Sequence, residues 1–363
     1  MKNLTKSDIS LLRLQNQKLD GTKFRKAEDV VAWMGAMQAQ DFPMAEWAVG
    51  TRILDPSAGK IETAVNKAAI IRTHLMRPTW HFVAAGDVYW LLELTAPRIR
   101  SSLKSRQKFL GLPEDLIIKC NRMLTWELER TGALTREELV TLFANAGIRT
   151  DENRFSHLMV CAELDAIVCS GPMKNGKQTY ALLQERVPTV RRLSREESLA
   201  ELAKRYFTSH GPATAKDFAW WSGLSSADIR KAIESNRGYL DSETVGNERY
   251  WFKGSHSTPV LNKNSVLLLP AYDEFLIAYS DRSASLARTD HKMTVSNNGI
   301  FRPVIVVNGQ VAGLWKRMKT KNKVVLELSF FLPANKIIRS LAEQAALHYE
   351  KFLGVSTEVK ITG

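Results

Sequence analysis

Two carboxamide side chains, those of Gln38 and Gln40, stand two residues apart where an apolar helix pattern ends. Apolar residues recur at i, i+1, i+3, i+4 and i+7 of this pattern and predict a buried helix face over residues 26–37: Val30, Val31, Trp33, Met34 and Met37. Pro43 disfavours helix at the residue before it, so both glutamines are expected to flank the turn between two helices. In a cleft such amides can hold water or a ligand, and helix capping with turn chemistry is the alternative.

Two histidines belong to the same part of the chain. Residues 70–76 and 79–83 predict two strands, and Arg77-Pro78 supplies the turn between them. His74 and His81 are expected to share one phase of this strand pair, where they either line a common cleft or pack in the interior.

The charge balance indicates a polyanionic partner. Lys and Arg number 51 against 38 Asp and Glu, which gives a net charge of +13. A field of this size favours nucleic acid or an anionic membrane surface, and a merely soluble basic protein is the alternative. A predicted helix over residues 86–110 carries a cluster that no acid interrupts: Arg98, Arg100, Lys104, Arg106 and Lys108. This cluster either faces phosphates or is a solvated helix face.

A predicted hairpin carries further basic residues. Two short strands, residues 167–170 and 178–182, flank a turn in which Asn175-Gly176 is typical of a two-residue hairpin loop. The tip holds Met173, Lys174 and Lys177. An exposed Met173 on a basic tip could insert between DNA bases, and an ordinary polar turn is the alternative.

Several other classes of function lose their usual sequence support. The chain has no GxxxxGK[ST], GxGxxG, HExxH or GxSxG motif. Cys120, Cys161 and Cys169 form no CxxC pair and are expected in the core, so we predict neither a disulfide framework nor a metal site, and no cofactor. The polar start and the short apolar runs predict no signal peptide and no membrane span, and hence a cytoplasmic, reducing location.

Helices followed by a strand pair recur along the chain. Residues 134–139 and 213–218 align in capping residues and apolar spacing at an offset of 79 residues. We therefore predict an α+β fold of tandem winged-helix, helix-turn-helix units followed by a β-rich C-terminal domain. The predicted units are residues 1–110 with both glutamines, 111–190 with the hairpin, and 191–260. The C-terminal α+β domain is expected over 261–363, and the chain is expected to be a monomer.

Five segments together resemble the winged-helix DNA glycosylases of the AlkZ and YcaQ type, and they follow the order of that family. They are Gln38–Gln40, Arg72–His81, His210–Thr214 with Asp217-Phe218 and Trp221, Leu268–Phe275 with Asp281-Arg282, and Asn308–Trp315. Pro78 departs from the family pattern, which usually has glycine there, and it removes a backbone donor.

The resemblance implies three tandem winged helices, a C-terminal β-rich domain and double-stranded DNA as partner. It implies excision of alkylated bases and unhooking of interstrand crosslinks, with Gln38 and Gln40 as the catalytic residues and Asp41 as a turn or capping residue beyond the motif. The DNA-contacting residues are then expected among His74, Arg77, Trp80, His81, Arg98, Arg100, Lys104, Arg106, Met173, Lys174 and Lys177. A non-catalytic winged-helix DNA-binding protein or regulator is the alternative function.

Overall fold

The computed structural model describes residues 4–254, 264–319 and 323–362. Its N-terminal part contains α1 (Lys6–Asn16), α2 (Ala27–Met34), β1 (Met37–Gln38), α3 (Phe42–Gly50), α4 (Ala58–Asn66), β2 (Ile70–Leu75) and β3 (Thr79–Ala84). These strands form an antiparallel sheet in the order β1-β3-β2. The predicted helix over residues 26–37 is wrong at its end, because Gly35 ends α2 with a φ of +79° and the chain continues as a strand.

The middle part begins with the long helix α5 (Val88–Phe109). It continues with α6 (Glu114–Thr131), β4 (Ala133–Thr135), α7 (Arg136–Asn145), α8 (Arg154–Leu164), β5 (Val168–Ser170), β6 (Thr179–Leu182) and α9 (Leu183–Arg186). The strand order is β4-β6-β5. Asn175 and Gly176 both have positive φ angles, which confirms the predicted hairpin turn.

The third part repeats this arrangement with α10 (Arg195–Ser209), β7 (Ala213–Thr214), α11 (Ala215–Ser222), α12 (Ser226–Glu234), β8 (Leu240–Val245) and β9 (Glu248–Lys253). Its strand order is β7-β9-β8. Thr135 and Thr214, 79 residues apart, each end a short strand and form a capping box at the start of the next helix. The predicted repeat offset therefore has a structural counterpart.

The C-terminal part contains β10 (Val266–Leu269), α13 (Glu274–Ile277), α14 (His291–Thr294), β11 (Val304–Val307), β12 (Gln310–Lys319), β13 (Val324–Phe330), α15 (Lys336–Leu353) and β14 (Thr357–Thr362). The sheet order is β10-β11-β12-β13-β14, and only the β13–β14 pair within the described strands of this sheet is parallel. The mixed α+β class is thus confirmed. The predicted boundary between residues 260 and 261 lies outside the described residues.

The sheet β1-β3-β2 lies between two hydrophobic cores. Ile70 and Phe82 pack into a core shared with the C-terminal sheet and α15. Ile71 and Val83, from the opposite face, pack into a core shared with α5, α10, α11 and α12. Residues 110–182 contain a further core. The sheet that carries Gln38 is consequently packed on both faces, which limits its movement. In the described residues, no helix is long and apolar enough to cross a membrane.

Candidate active site

The two glutamines differ in environment. Gln38 lies opposite His81 in the β1–β3 pair and is only 6% exposed, whereas Gln40 has left the strand and is exposed. Oε1 of Gln38 accepts a hydrogen bond from Nη2 of Arg77 at 3.1 Å. Oε1 of Gln40 accepts a long one, 3.4 Å, from the backbone N–H of Trp80. One amide is therefore fixed in the interior and the other is free to meet a ligand from solvent.

The Gln38-Ala39-Gln40 segment is held at both ends. The backbone N–H of Ala39 donates to the carbonyl of Trp80 at 2.7 Å, which extends the β1–β3 pairing by one residue. Asp41 then caps α3 by accepting from the backbone N–H of Met44 at 3.2 Å, and this confirms its predicted capping role. The segment is thus a strand that leads into a helix, with little freedom of its own.

Glu274, at the start of α13, anchors the backbone of Gln38. Its Oε1 accepts the Gln38 N–H at 2.7 Å, and its Oε2 accepts from Nε1 of Trp221 at 2.9 Å. Nε2 of His210 lies 3.5 Å from the same Oε2. Burial acts to raise the pKa of Glu274, but the neighbouring His210 and the backbone N–H of Gln38 leave that pKa lowered. A buried carboxylate from the C-terminal part therefore fixes the catalytic candidate's main chain.

His81 and His74 lie on opposite faces of the sheet, so the prediction that they share one phase is wrong. The β2–β3 register sets His81 opposite Thr73 and His74 opposite Trp80, one position out of step. Burial, and then the charge of Arg77, lower the pKa of His81 to about 4, so its ring is neutral near pH 7. Its Nδ1 lies 2.9 Å from the Thr79 carbonyl, which makes Nδ1–H the donor and leaves Nε2 as an acceptor.

His74 belongs to a cluster on the other face. Its ring lies 4.2 Å from that of Trp80, and its Nδ1 is in contact with the buried carboxylate of Glu163 from α8. Glu163 also accepts the backbone N–H of His74 at 3.1 Å. His74 therefore ties the strand to α8 rather than facing the same space as His81.

Arg72 connects the glutamine segment to the predicted hairpin. Its Nε donates to the Ala39 carbonyl at 2.9 Å, and its Nη1 donates to Oε1 of Gln178 at 2.7 Å. The guanidinium lies 4.0 Å above the ring of Trp80. The β5–β6 hairpin is thereby held beside Trp80 and the exposed Gln40.

The hairpin tip differs from the expected exposed wedge. Met173 is half-buried, and its backbone N–H donates to Oδ1 of Asn66 at 2.8 Å. The prediction that Met173 is exposed is therefore wrong, because the chain before the turn packs against the end of α4. Lys174 and Lys177 are exposed and reach the first turn of α7, where they lie 2.6 Å from Glu138 and 3.7 Å from Glu137.

The predicted basic helix is α5, and its side chains have different surroundings. Arg98, Lys104 and Arg106 are exposed. Arg100 is half-buried, pairs with Asp165 and donates to the Cys161 carbonyl at 3.1 Å, so it joins α5 to α8. Three of the four predicted DNA contacts on α5 are therefore exposed cations, and Arg100 has a structural contact. Lys108, the remaining basic residue of the cluster, is exposed as well.

Sequence reasoning did not single out two buried carboxylates of this region. Glu274 lay inside a segment that carries the family resemblance, which was a usable signal. Glu163 lay in an ordinary apolar helix pattern and gave none. The three cysteines are free and buried, as expected for core residues.

Comparison with known proteins agrees with this architecture. The solved structure of the Streptomyces sahachiroi DNA glycosylase AlkZ superimposes with a TM-score of 0.83 over 99% of this chain and 100% of that chain, at 22% identity. A curated relative from the same organism, the interstrand DNA cross-link repair glycosylase, is 24% identical over 358 residues, which is 95% of each chain. The two structures therefore share one fold over nearly their whole length.

The family model for DNA glycosylase AlkZ-like proteins matches residues 31–352. The chain belongs to this family, and the family's enzymes are DNA glycosylases, hydrolases that act on N-glycosyl bonds.

Proposed function

We propose that this enzyme excises N-alkylated, cationic purines from double-stranded DNA, with Gln38 and Gln40 as its catalytic residues. The observation that carries the proposal is the pair of amides on one short, anchored segment: one is buried and hydrogen-bonded to Arg77, and the other is exposed. Because the curated relative is named for interstrand cross-link repair, such cross-links are proposed as substrates as well.

The chemistry suits neutral side chains. A purine alkylated at N3 or N7 carries a positive charge, so it departs with the electron pair of the C1′–N bond as a neutral base and needs no general acid. Water adds its oxygen to C1′ and releases a proton to solvent, which leaves an abasic sugar. The amide oxygens of Gln38 and Gln40 accept hydrogen bonds from that water and orient it. Neutral His81, paired with Gln38 in the sheet, offers Nε2 as a further acceptor.

We further propose that the repeated helix-and-sheet units are winged helices that together hold the duplex. The three sheets with strand orders β1-β3-β2, β4-β6-β5 and β7-β9-β8 support this interpretation, as does the net charge of +13. Five of the basic residues that the sequence predicted as DNA contacts are exposed on α5 or on the hairpin tip, and we propose that they contact phosphates. They are Arg98, Lys104, Arg106, Lys174 and Lys177. The bounds of the four predicted domains, the monomeric state and the cytoplasmic location stay predictions.

The test is incubation with duplex DNA that contains N7-methylguanine, followed by alkali, which cleaves the strand at abasic sites. We expect cleavage by the parental protein and a rate about one to three decades lower for Gln38→Ala and for Gln40→Ala, because one positioned hydrogen bond in a transition state is worth a few kcal/mol. Gln40→Asp should keep activity, since a carboxylate can both orient and activate water.

Thermal melting of each variant separates loss of function from loss of fold. Because Gln40 is exposed, its alanine variant should melt like the parent and serves as the cleaner test. If a folded double alanine variant releases base at the parental rate, the catalytic assignment is wrong and the non-catalytic DNA-binding alternative replaces it.

A further inference from the structure

An exposed tryptophan stands beside the glutamine segment with two arginines on its ring. Trp220 in α11 is 42% exposed, although its Nε1 donates to the carbonyl of Ile277 at 2.8 Å and so fixes the ring. The guanidinium carbons of Arg77 and Arg282 each lie 5.3 Å from the ring centroid. Guanidinium groups stack well on aromatic rings, so Trp220 holds two cations close together.

Both guanidiniums bond only to neutral oxygens in the part of the chain that the structure describes. Arg77 donates to the amide oxygen of Gln38, and Arg282 donates to the carbonyls of Leu276 and Ser280. Nε of Arg77 and Nη2 of Arg282 are buried without a hydrogen-bond partner. Buried charged donors without partners are costly and rare, and a bound anion is one explanation for them.

The nearby acids have other partners. Asp217 binds the backbone N–H groups of Ser280 and Asp281. Glu274 binds Gln38 and Trp221, as described above. Asp281 accepts the backbone N–H of Ser283 at 2.9 Å. Burial, and then the positive charge of Arg77, lower the pKa of Arg282 to about 10, and the charges of Asp217 and Asp281 only partly oppose this shift.

A groove adjoins Arg282. It has a volume of about 330 Å³, and Arg282, Arg288, His291 and Lys292 line it, with Asp281 on the same wall. Arg288 and Lys292 are exposed. Cationic side chains therefore lead from the glutamine segment outward along the C-terminal part of the chain.

We propose that Arg77 and Arg282 form a binding site for a phosphodiester group of the lesion-bearing strand, and that the Arg288–Lys292 groove holds the next phosphates of that strand. Arginine suits this task because its planar fork binds two phosphate oxygens at once. A phosphate here would satisfy both unpartnered N–H groups and relieve the repulsion between the two cations. The site adds the C-terminal part to the DNA-binding surface, and its placement at the lesion rests on the proposed function.

The experiment measures binding of duplexes that carry a tetrahydrofuran abasic analogue and, in turn, one neutral methylphosphonate at each phosphate near it. We expect the parental protein to lose about tenfold in affinity at one or two positions, since a neutral methylphosphonate removes the charge-assisted hydrogen bonds of that phosphate. Arg282→Gln should bind more weakly, should no longer respond at those positions, and should show a salt slope smaller by about one.

Two further variants guard against misfolding and against a general charge effect. Because Arg282 also donates to two backbone carbonyls, its replacement could disturb the fold. The double variant Arg288→Gln/Lys292→Gln tests the exposed groove and leaves those two hydrogen bonds in place. It should abolish the methylphosphonate response at the adjacent phosphates. Lys316→Gln is the matched control, because this exposed lysine of β12 pairs with Glu327 at 2.7 Å and its loss should leave the methylphosphonate profile unchanged.

The inference is overturned if a folded Arg282→Gln and the folded groove variant both reproduce the parental methylphosphonate profile. A second result would also overturn it as a DNA site: inorganic phosphate stabilises the parental protein but not Arg282→Gln, while both proteins give the same methylphosphonate profile. Base release is scored separately: normal release with an unchanged profile defeats only this inference. If the parental protein releases no base from any alkylated duplex, but Arg282→Gln loses the methylphosphonate response, only the proposed excision is defeated.

Discussion

Replacement of Glu274 by glutamine should slow base release by disturbing Gln38 without touching it. Glu274 is 1% exposed, and its carboxylate accepts two N–H groups, from the Gln38 backbone at 2.7 Å and from Trp221 Nε1 at 2.9 Å. Glutamine has the same shape but offers one acceptor oxygen, so its NH₂ must face one of these donors. A buried donor left unpaired costs about 1–3 kcal/mol, and we expect the free energy of unfolding to fall by that amount.

The effect on the reaction follows from the same hydrogen bond. If the Gln38 backbone loses its anchor in part of the molecules, the amide oxygen shifts relative to the water it orients. We expect single-turnover release of N7-methylguanine to fall about 10- to 100-fold, which corresponds to about 1.4–2.7 kcal/mol in the barrier. Affinity for undamaged duplex should change little, because Glu274 is buried.

Trp221→Phe is the matched control for this variant. It removes the donor to the other oxygen of the same carboxylate, keeps an aromatic ring in the core, and leaves the Gln38 hydrogen bond intact. We expect a comparable loss of stability with base release close to the parental rate. Parental release by folded Glu274→Gln would refute the positioning role, and equal slowing by Trp221→Phe would show that general destabilisation causes the effect.

Three further outcomes are expected. The first variant neutralises three exposed predicted DNA contacts of α5, which are Arg98, Lys104 and Arg106. The slope of log affinity for duplex against log salt concentration should become smaller by about 0.9 for each phosphate that the protein no longer neutralises. An unchanged slope would place the DNA-binding surface elsewhere. Truncation of the hairpin tip, residues 174–177, should weaken lesion processing more than thermal stability, and normal turnover would make it an ordinary turn. Burial, and then the charge of Glu62, raise the pKa of Glu46 to about 8 from 4.5. Because the pKa of Glu46 is higher in the folded state than in the unfolded state, its stabilising contribution is complete below pH 4.5 and is lost as pH rises through 8. The free energy of unfolding should therefore fall by at most about 5 kcal/mol in that window. Glu46→Gln should remove this fall, which melting curves recorded against pH would show.

The sequence predicted local structure well where the signals were local. Helix caps are read from neighbouring residues, and Thr135 and Thr214 cap helices at the predicted repeat offset. The predicted hairpin turn at Asn175-Gly176 also depends on two adjacent residues, and both have a positive φ. By contrast, β1, β4 and β7 are two or three residues long, and their pairing partners lie about 40 residues further along the chain. No periodicity can show so short a strand.

The site was harder to predict because its contacts are distant in sequence. Gln38 and Glu274 are 236 positions apart, and Arg72 and Gln178 are 106 apart. The prediction that His74 and His81 share one face of the sheet failed for a related reason: the face of each side chain depends on strand register. The turn at Arg77-Pro78 sets the register of β2 against β3, and a shift of one residue reverses the face of every side chain.

The same long-range contacts explain why a two-glutamine motif needs so much chain around it. A neutral amide is a weak base, so it can assist a reaction only by holding water in one orientation, and orientation requires a rigid support. Glu274 from the C-terminal part fixes the backbone of Gln38, Arg77 from the β2–β3 turn fixes its side chain, and Arg72 joins the segment to the hairpin. If the reaction depends on orientation rather than basicity, variants of these supports should slow it nearly as much as variants of the glutamines.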